Sequence, residues 1–413
     1  MELRPRWKIR WLVIALLMLP TLVWFGYSLL HPGAKKNGEK LYRLVEVPVH
    51  AEQTSPWVMQ ESGTKAGLRG IYSVDGKIAW ASGTGGTVLK TVDGGEHWQK
   101  CAVPGADGET LDFRGVQVWD ANRAIVMASG PGDKSRLYKT TDGCKSWMLI
   151  FKNPDAPDGF FDALRLHQEQ RSLRDDEGFG LILGDPVKGH LTVFETRDGG
   201  HTWNRIEDDS LAVSIAGNGA FAASNSSITD FGAASNFFVT GGRDGSYVLR
   251  LNYEGYYWLN DSSPLKRTWD VVPLPFSKTA DSVGAFAIGG HVDLITSDRT
   301  GTVKGLRYHQ TIVGGDYTKP NESTGTAAWT SDGGKNWIAA TKPPHGFRSS
   351  VAWSKEVKAW IAAGTNGSDI SRDDGKTWQP LDDGNWNALS LPFIVGEKGR
   401  IGKLDATAIP SAQ

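Results

Sequence analysis

One eight-residue pattern returns five times along this chain, and it leaves few folds open. Its form is Ser/Thr-x-Asp-x-Gly-x-x-Trp. It reads Thr91-Val-Asp93-Gly-Gly95-Glu-His-Trp98, Thr140-Thr-Asp142-Gly-Cys-Lys-Ser-Trp147 and Thr196-Arg-Asp198-Gly-Gly200-His-Thr-Trp203. It returns as Thr330-Ser-Asp332-Gly-Gly334-Lys-Asn-Trp337 and Ser371-Arg-Asp373-Asp-Gly375-Lys-Thr-Trp378. Each residue type suits a hairpin turn. The Asp carboxylate accepts backbone N–H groups of its own turn. Gly supplies the positive φ that the reversal requires. Trp is the first large residue of the returning strand and can wedge between neighbouring sheets. The five aspartates are therefore read as turn-closing residues rather than catalytic ones.

This octapeptide is the Asp-box, or BNR repeat. Two degenerate copies extend the series. Lys266-Arg-Thr-Trp269 ends like a box whose first half is replaced by the insertion at 252–265, and Trp57-Val-Met-Gln60 resembles the strand that follows a box. The returning-strand tryptophans are then Trp57, Trp98, Trp147, Trp203, Trp269, Trp337 and Trp378, with a shortest spacing of 41 residues. That period suits a four-stranded blade. The composition, with 50 Gly and 17 Trp, fits short strands and tight turns. The reading is an all-β, seven-bladed β-propeller over residues 55–405. Its first blade is expected at 68–74, 77–82, 87–91 and 97–102. The last unit, from Trp386 to Leu404, lacks an outer strand, and the Trp57 segment is the spare one. Pairing the two closes the ring from both chain ends and leaves only short sheet edges.

Ahead of the repeats, Trp11 to Leu30 is a mostly apolar run long enough for one transmembrane helix. Arg4, Arg6, Lys8 and Arg10 within residues 1–10 keep the N-terminus cytoplasmic and send the rest across. The expectation is a single-pass inner-membrane anchor at 11–30, a linker at 31–54, a propeller on the periplasmic or extracytoplasmic side, and a tail at 406–413. The alternative is a signal peptide cleaved near Gly26 or Ser28, releasing a secreted protein. Cys101 and Cys144 fall in neighbouring repeats. They could bridge in an oxidising compartment, but sequence gives no Cα separation, so two unpaired thiols are the default expectation. A net charge of −1 without a basic cluster in the repeats argues against nucleic acid.

Beyond the boxes, four strings carry a family resemblance: Ala79-Trp-Ala-Ser-Gly-Thr-Gly-Gly86, Tyr138-Lys-Thr-Thr-Asp-Gly143, Gly314-Gly-Asp316 and Gly396-Glu-Lys-Gly-Arg400. With them the chain resembles the bacterial propellers related to the photosystem II stability/assembly factor family, in the WD40/YVTN/BNR-like superfamily. The resemblance spans about 55–405. It implies a non-catalytic assembly factor that binds a protein partner at a membrane.

The channel mouth opposite the boxes is the expected site. A triplet of large apolar, variable and small residues recurs where inner strands should begin: Leu68-Arg69-Gly70, Phe113-Arg114-Gly115, Phe161-Asp162-Ala163, Phe221-Ala222-Ala223, Phe347-Arg348-Ser349 and Trp386-Asn387-Ala388. Aligned, these turn Arg69, Arg114 and Arg348 toward one opening beside Asp162 and Asn387, with Arg243, Asp316 and Tyr317 on adjacent loops. Three arginines can hold a carboxylate bidentately, or form a patch for an acidic protein partner. An acidic small molecule, such as an acidic sugar, is a further possible ligand. The enzymatic alternative is a glycoside hydrolase of sialidase-like or open-cleft type using Asp162 and Asp185. Against it, the Phe/Tyr-Arg-Ile-Pro signature of sialidases is missing, and no nucleophile elbow or phosphate-binding loop occurs. The nine histidines do not cluster in sequence and no zinc-ligand spacing is present, so neither cofactor nor metal is expected.

Overall fold

The computed structural model describes residues 55–105, 110–167, 178–207, 218–230, 235–254, 266–276, 280–296 and 303–409. The anchor expected at 11–30 and the linker at 31–54 lie outside the described residues. Among the described residues no helix is long and apolar enough to cross a membrane.

Seven antiparallel four-stranded sheets form a β-propeller. The innermost strands of blades 1 to 7 are Leu68–Ser73, Phe113–Val118, Phe161–His167, Ile228–Asp230, Val283–Thr296, Ser350–Ser354 and Ala388–Ser390. Apolar clusters fill the space between neighbouring sheets, as where Trp80 and Val88 of blade 1 meet Phe113, Val116 and Tyr138 of blade 2. Such burial is the main stabilising term for stacked repeats.

Closure follows the sequence expectation. Trp57–Gln60 pairs antiparallel with Ile401–Leu404, with Trp57 opposite Leu404 and Gln60 opposite Ile401. The buried Trp57 ring donates its Nε1–H to Ser368 Oγ of blade 6 at 3.0 Å and leans on Trp386 with centroids 6.1 Å apart. The second strand of blade 1 begins at Ala79 rather than Lys77. There the Asp75 carboxylate accepts the N–H groups of Lys77 and Ile78 at 2.9 and 2.7 Å, which holds both residues in the turn.

The octapeptide turns share one hydrogen-bond scheme. In the first, the Thr91 hydroxyl donates to Asp93 at 2.8 Å and accepts from Gly95 N–H at 2.9 Å, while Asp93 accepts from His97 N–H at 3.0 Å. Equivalent bonds recur at Thr140–Asp142–Ser146, Thr196–Asp198–Thr202, Thr330–Asp332–Asn336 and Ser371–Asp373–Thr377. The bonds hold these carboxyls low. Asp142 falls to about 2, chiefly through the Ser146 side chain and N–H.

Two expectations need correction. Cys101 and Cys144 are bridged, with Cα atoms 5.6 Å apart. Cys144 takes the place of the second glycine of its turn, where φ is +70°, and this aims its sulfur at the end of blade 1's outer strand. Blade 4 does not begin at Phe221-Ala222-Ala223; its inner strand is Ile228–Asp230. The Phe221 segment does something else.

Candidate functional site

The variable residue of each early triplet sits in a β-bulge. Register slips between Leu68 and Gly70, Phe113 and Gly115, and Phe161 and Ala163, so Arg69, Arg114 and Asp162 are the unpaired residues. A bulge re-aims one side chain without ending the strand. The third residue must be small. At Gly70 a Cβ would lie 2.5 Å from Ser82 Oγ and 2.8 Å from the Arg114 carbonyl oxygen. Blade 5 has the same slip between Ala285 and Ala287, which presents Phe286. Sequence reading missed Phe286 because its triplet starts with a small residue.

Asp112 joins the two mouth arginines. Its carboxylate accepts from Arg114 Nε at 2.8 Å and lies 3.6 Å from Arg69 Nε. Arg69 is held loosely: Glu397 is 3.7 Å from its guanidinium, and its buried Nε makes no hydrogen bond. Asn387 is buried and donates to the Leu68 carbonyl at 2.8 Å and to Glu397 at 3.1 Å.

Arg348 does not join them, which corrects the three-arginine expectation. It is fully buried, ion-paired with the equally buried Asp369 of blade 6, and bonded through Nη1 to the Phe347 carbonyl at 2.6 Å. His345 also donates to or accepts from this group, with Nδ1 2.9 Å from both Asp369 and Arg348. Asp316 is spent on its own turn, accepting from Thr318 N–H at 3.0 Å. Arg243 pairs with Asp281 at 3.1 Å, both open to solvent. Tyr317 is half exposed, 6.1 Å from Phe286.

Residues 221–226, ahead of blade 4, span the channel. The Ala222 carbonyl accepts from Arg114 Nη1 of blade 2 at 3.1 Å, and Asn225 Oδ1 accepts from Leu164 N–H of blade 3 at 2.7 Å. The Ser226 carbonyl accepts from Ile288 N–H of blade 5 at 2.9 Å. On blade 6, the Ser224 hydroxyl donates to the Ser349 carbonyl and the Ser226 and Ser350 hydroxyls meet at 3.1 Å. Phe221 stacks on Phe286 with centroids 3.8 Å apart. It lies over Gly241 and Gly284, where a Cβ would come within 2.8 and 2.5 Å of its ring.

This segment also accounts for the two candidate carboxylates. Asp162 accepts the Ala222 N–H and Asp185 accepts the Ala220 N–H. Burial pushes both carboxyls up, and at Asp162 the neighbouring Asp185 charge adds to it, against the pull of Arg114. Asp162 is 2% exposed. The pair grips a strap of the chain itself and does not flank an open cleft, the arrangement a two-carboxylate glycosidase needs.

No protein-family profile matches the chain. Among curated proteins it is similar to the photosystem II assembly lipoprotein Ycf48 of Synechococcus sp. (strain CC9902), 21% identical over 383 residues, which cover 88% of this chain and 92% of the relative. The chain is a homologue of Ycf48. Two solved Ycf48 structures share the fold. One, from Cyanidioschyzon merolae, matches with a TM-score of 0.51 and 20% identity over 85% of this chain and 99% of its own. The other is YCF48 bound to D1 peptide, with a TM-score of 0.50 and 19% identity over 86% and 99%.

Proposed function

We propose that this protein is a non-catalytic scaffold that holds a segment of a membrane-associated protein partner against its channel mouth. The homology to an assembly lipoprotein along 88% of the chain carries this reading. A relative whose structure holds a bound D1 peptide supports a peptide-like ligand. The strap across the channel supports binding at the face rather than in a deep cleft. At that face Arg69 is partly exposed and held only by loose ion pairs to Asp112 and Glu397 at 3.6 and 3.7 Å, which leaves its guanidinium able to pair with a partner carboxylate.

The reading includes a membrane anchor at 11–30, with the propeller outside the cytoplasm. The bridge between Cys101 and Cys144 supports an oxidising compartment. An affinity capture of the full chain from its own membranes tests the scaffold reading. The expected result is one dominant membrane-associated protein, recovered with wild type and depleted with Arg69→Ala/Arg114→Ala. Equal recovery with that variant removes the mouth from the reading. Turnover of a glycoside lost on Asp185→Asn would replace the scaffold with an enzyme.

A further inference from the structure

Two histidines that sequence keeps apart meet at the opposite end of the ring. The inner pair of strands in blade 5, Val283–Thr296 and Val303–Asp316, is 14 residues long on each side, and its register sets His291 directly across from His309. Their rings stack in parallel, centroids 4.6 Å apart, and Trp353 of blade 6 covers His291 at 3.7 Å. Both side chains are more than nine-tenths buried.

An aspartate faces each edge of this stack. Asp293 lies 3.6 Å from His291 Nδ1 and 3.2 Å from His309 Nε2; Asp374 lies 3.6 Å from His291 Nε2 and 3.2 Å from His309 Nδ1. None of these approaches makes a hydrogen bond at His291 Nε2 or at either nitrogen of His309. Buried ring nitrogens whose neighbours lack hydrogen-bond geometry are costly.

Asp374 stands in an unusual place. It occupies the first glycine position of its octapeptide turn, where the other four turns have Gly94, Gly143, Gly199 and Gly333, all with positive φ. Asp374 adopts φ +62° there. A side chain in that conformation is strained relative to glycine. What the substitution adds is a carboxylate beside the two histidines.

We infer that His291, His309 and Asp374 bind a divalent transition-metal ion of the zinc class at the junction of blades 5 and 6. Their donor atoms lie within 4.8 Å of one another. Two imidazole nitrogens and one carboxylate oxygen form a donor set that zinc takes in tetrahedral geometry, with water as fourth ligand. Bound metal gives one nitrogen of each ring a partner and ties the long hairpin of blade 5 to the blade 6 turn. The exposed group Asp93, Glu96 and His97 is a contrast: its His97 already bonds Asp93 at 2.7 Å.

The test uses the full chain in mild detergent, stripped with chelator and titrated with zinc chloride against a chromophoric chelator. Wild type should bind one equivalent more than Asp374→Gly or His309→Gln, or bind it at least about tenfold more tightly. His97→Gln should match wild type. Asp374→Gly installs the residue the other turns carry, so it keeps the turn intact. Cobalt(II) in wild type should give the visible bands of a tetrahedral nitrogen/oxygen site, absent in Asp374→Gly. Zinc affinity and stoichiometry unchanged in Asp374→Gly, or no zinc bound by wild type, would overturn the inference.

Discussion

The bridge between blades 1 and 2 gives a quantitative test of how a repeat turn trades backbone comfort for a cross-link. Forty-three residues separate Cys101 from Cys144. Closing a loop of that length removes about 13 cal/mol/K from the unfolded chain, or about 4 kcal/mol at room temperature. Against this stands the left-handed backbone at Cys144, worth roughly 1 kcal/mol over glycine. Cys144→Ser loses the cross-link and keeps the strain, so it should fall by about 4 kcal/mol. Cys144→Gly loses the cross-link but relaxes the turn, so its net loss should be about 3 kcal/mol. Equilibrium urea unfolding followed by tryptophan fluorescence reads the order: oxidised wild type, then Cys144→Gly, then Cys144→Ser. Reductant should bring wild type down to the Cys144→Ser midpoint and leave both variants where they are. A wild-type midpoint indifferent to reductant, or Cys144→Ser outlasting Cys144→Gly, would refute the reasoning.

Trp57→Ala removes the buried ring that locks the closing strand and its bond to Ser368; stability should drop by about 3–5 kcal/mol in the same urea assay, with early proteolysis near residue 60. Asn225→Ala strips the acceptor from Leu164 N–H and leaves alanine at φ +62°; the loss should be about 2–4 kcal/mol, measured by urea unfolding. Asp162 has a raised pKa, so the folded chain holds its proton more tightly than the unfolded chain. That stabilisation is complete below the ordinary value of 3.8 and is lost as pH rises through the folded value. Asp162→Asn should therefore be more stable than wild type at neutral pH, with the gap closing below about pH 4 in unfolding curves taken across pH.

The ring was legible because one turn chemistry, repeated, fixes both strand direction and blade count, and because each returning Trp marks an outer strand. The missing outer strand of the last blade pointed to Trp57 for the same reason. Triplets located Arg69, Arg114 and Asp162 because a bulge demands a small following residue. Phe221-Ala222-Ala223 imitates that pattern but belongs to the strap, whose aromatic ring needs Gly241 and Gly284 beneath it. Nothing local separates the two cases. Arg348 carries the right triplet, yet Asp369, two strands away in the sheet, captures it. The His291–His309 pair exists only through hairpin register over 18 residues. One signal for it stood in the sequence: Asp374 at a position the other turns give to glycine.

Site-specific photocrosslinking of the full chain in intact cells tests the scaffold claim most directly. A photoreactive residue placed at Tyr317 or Arg243, on the channel-mouth face, should yield one and the same protein adduct. The same residue at Glu96, in a turn on the opposite face, should yield none. Adducts from Glu96 alone, or silence at both mouth positions, would contradict the account.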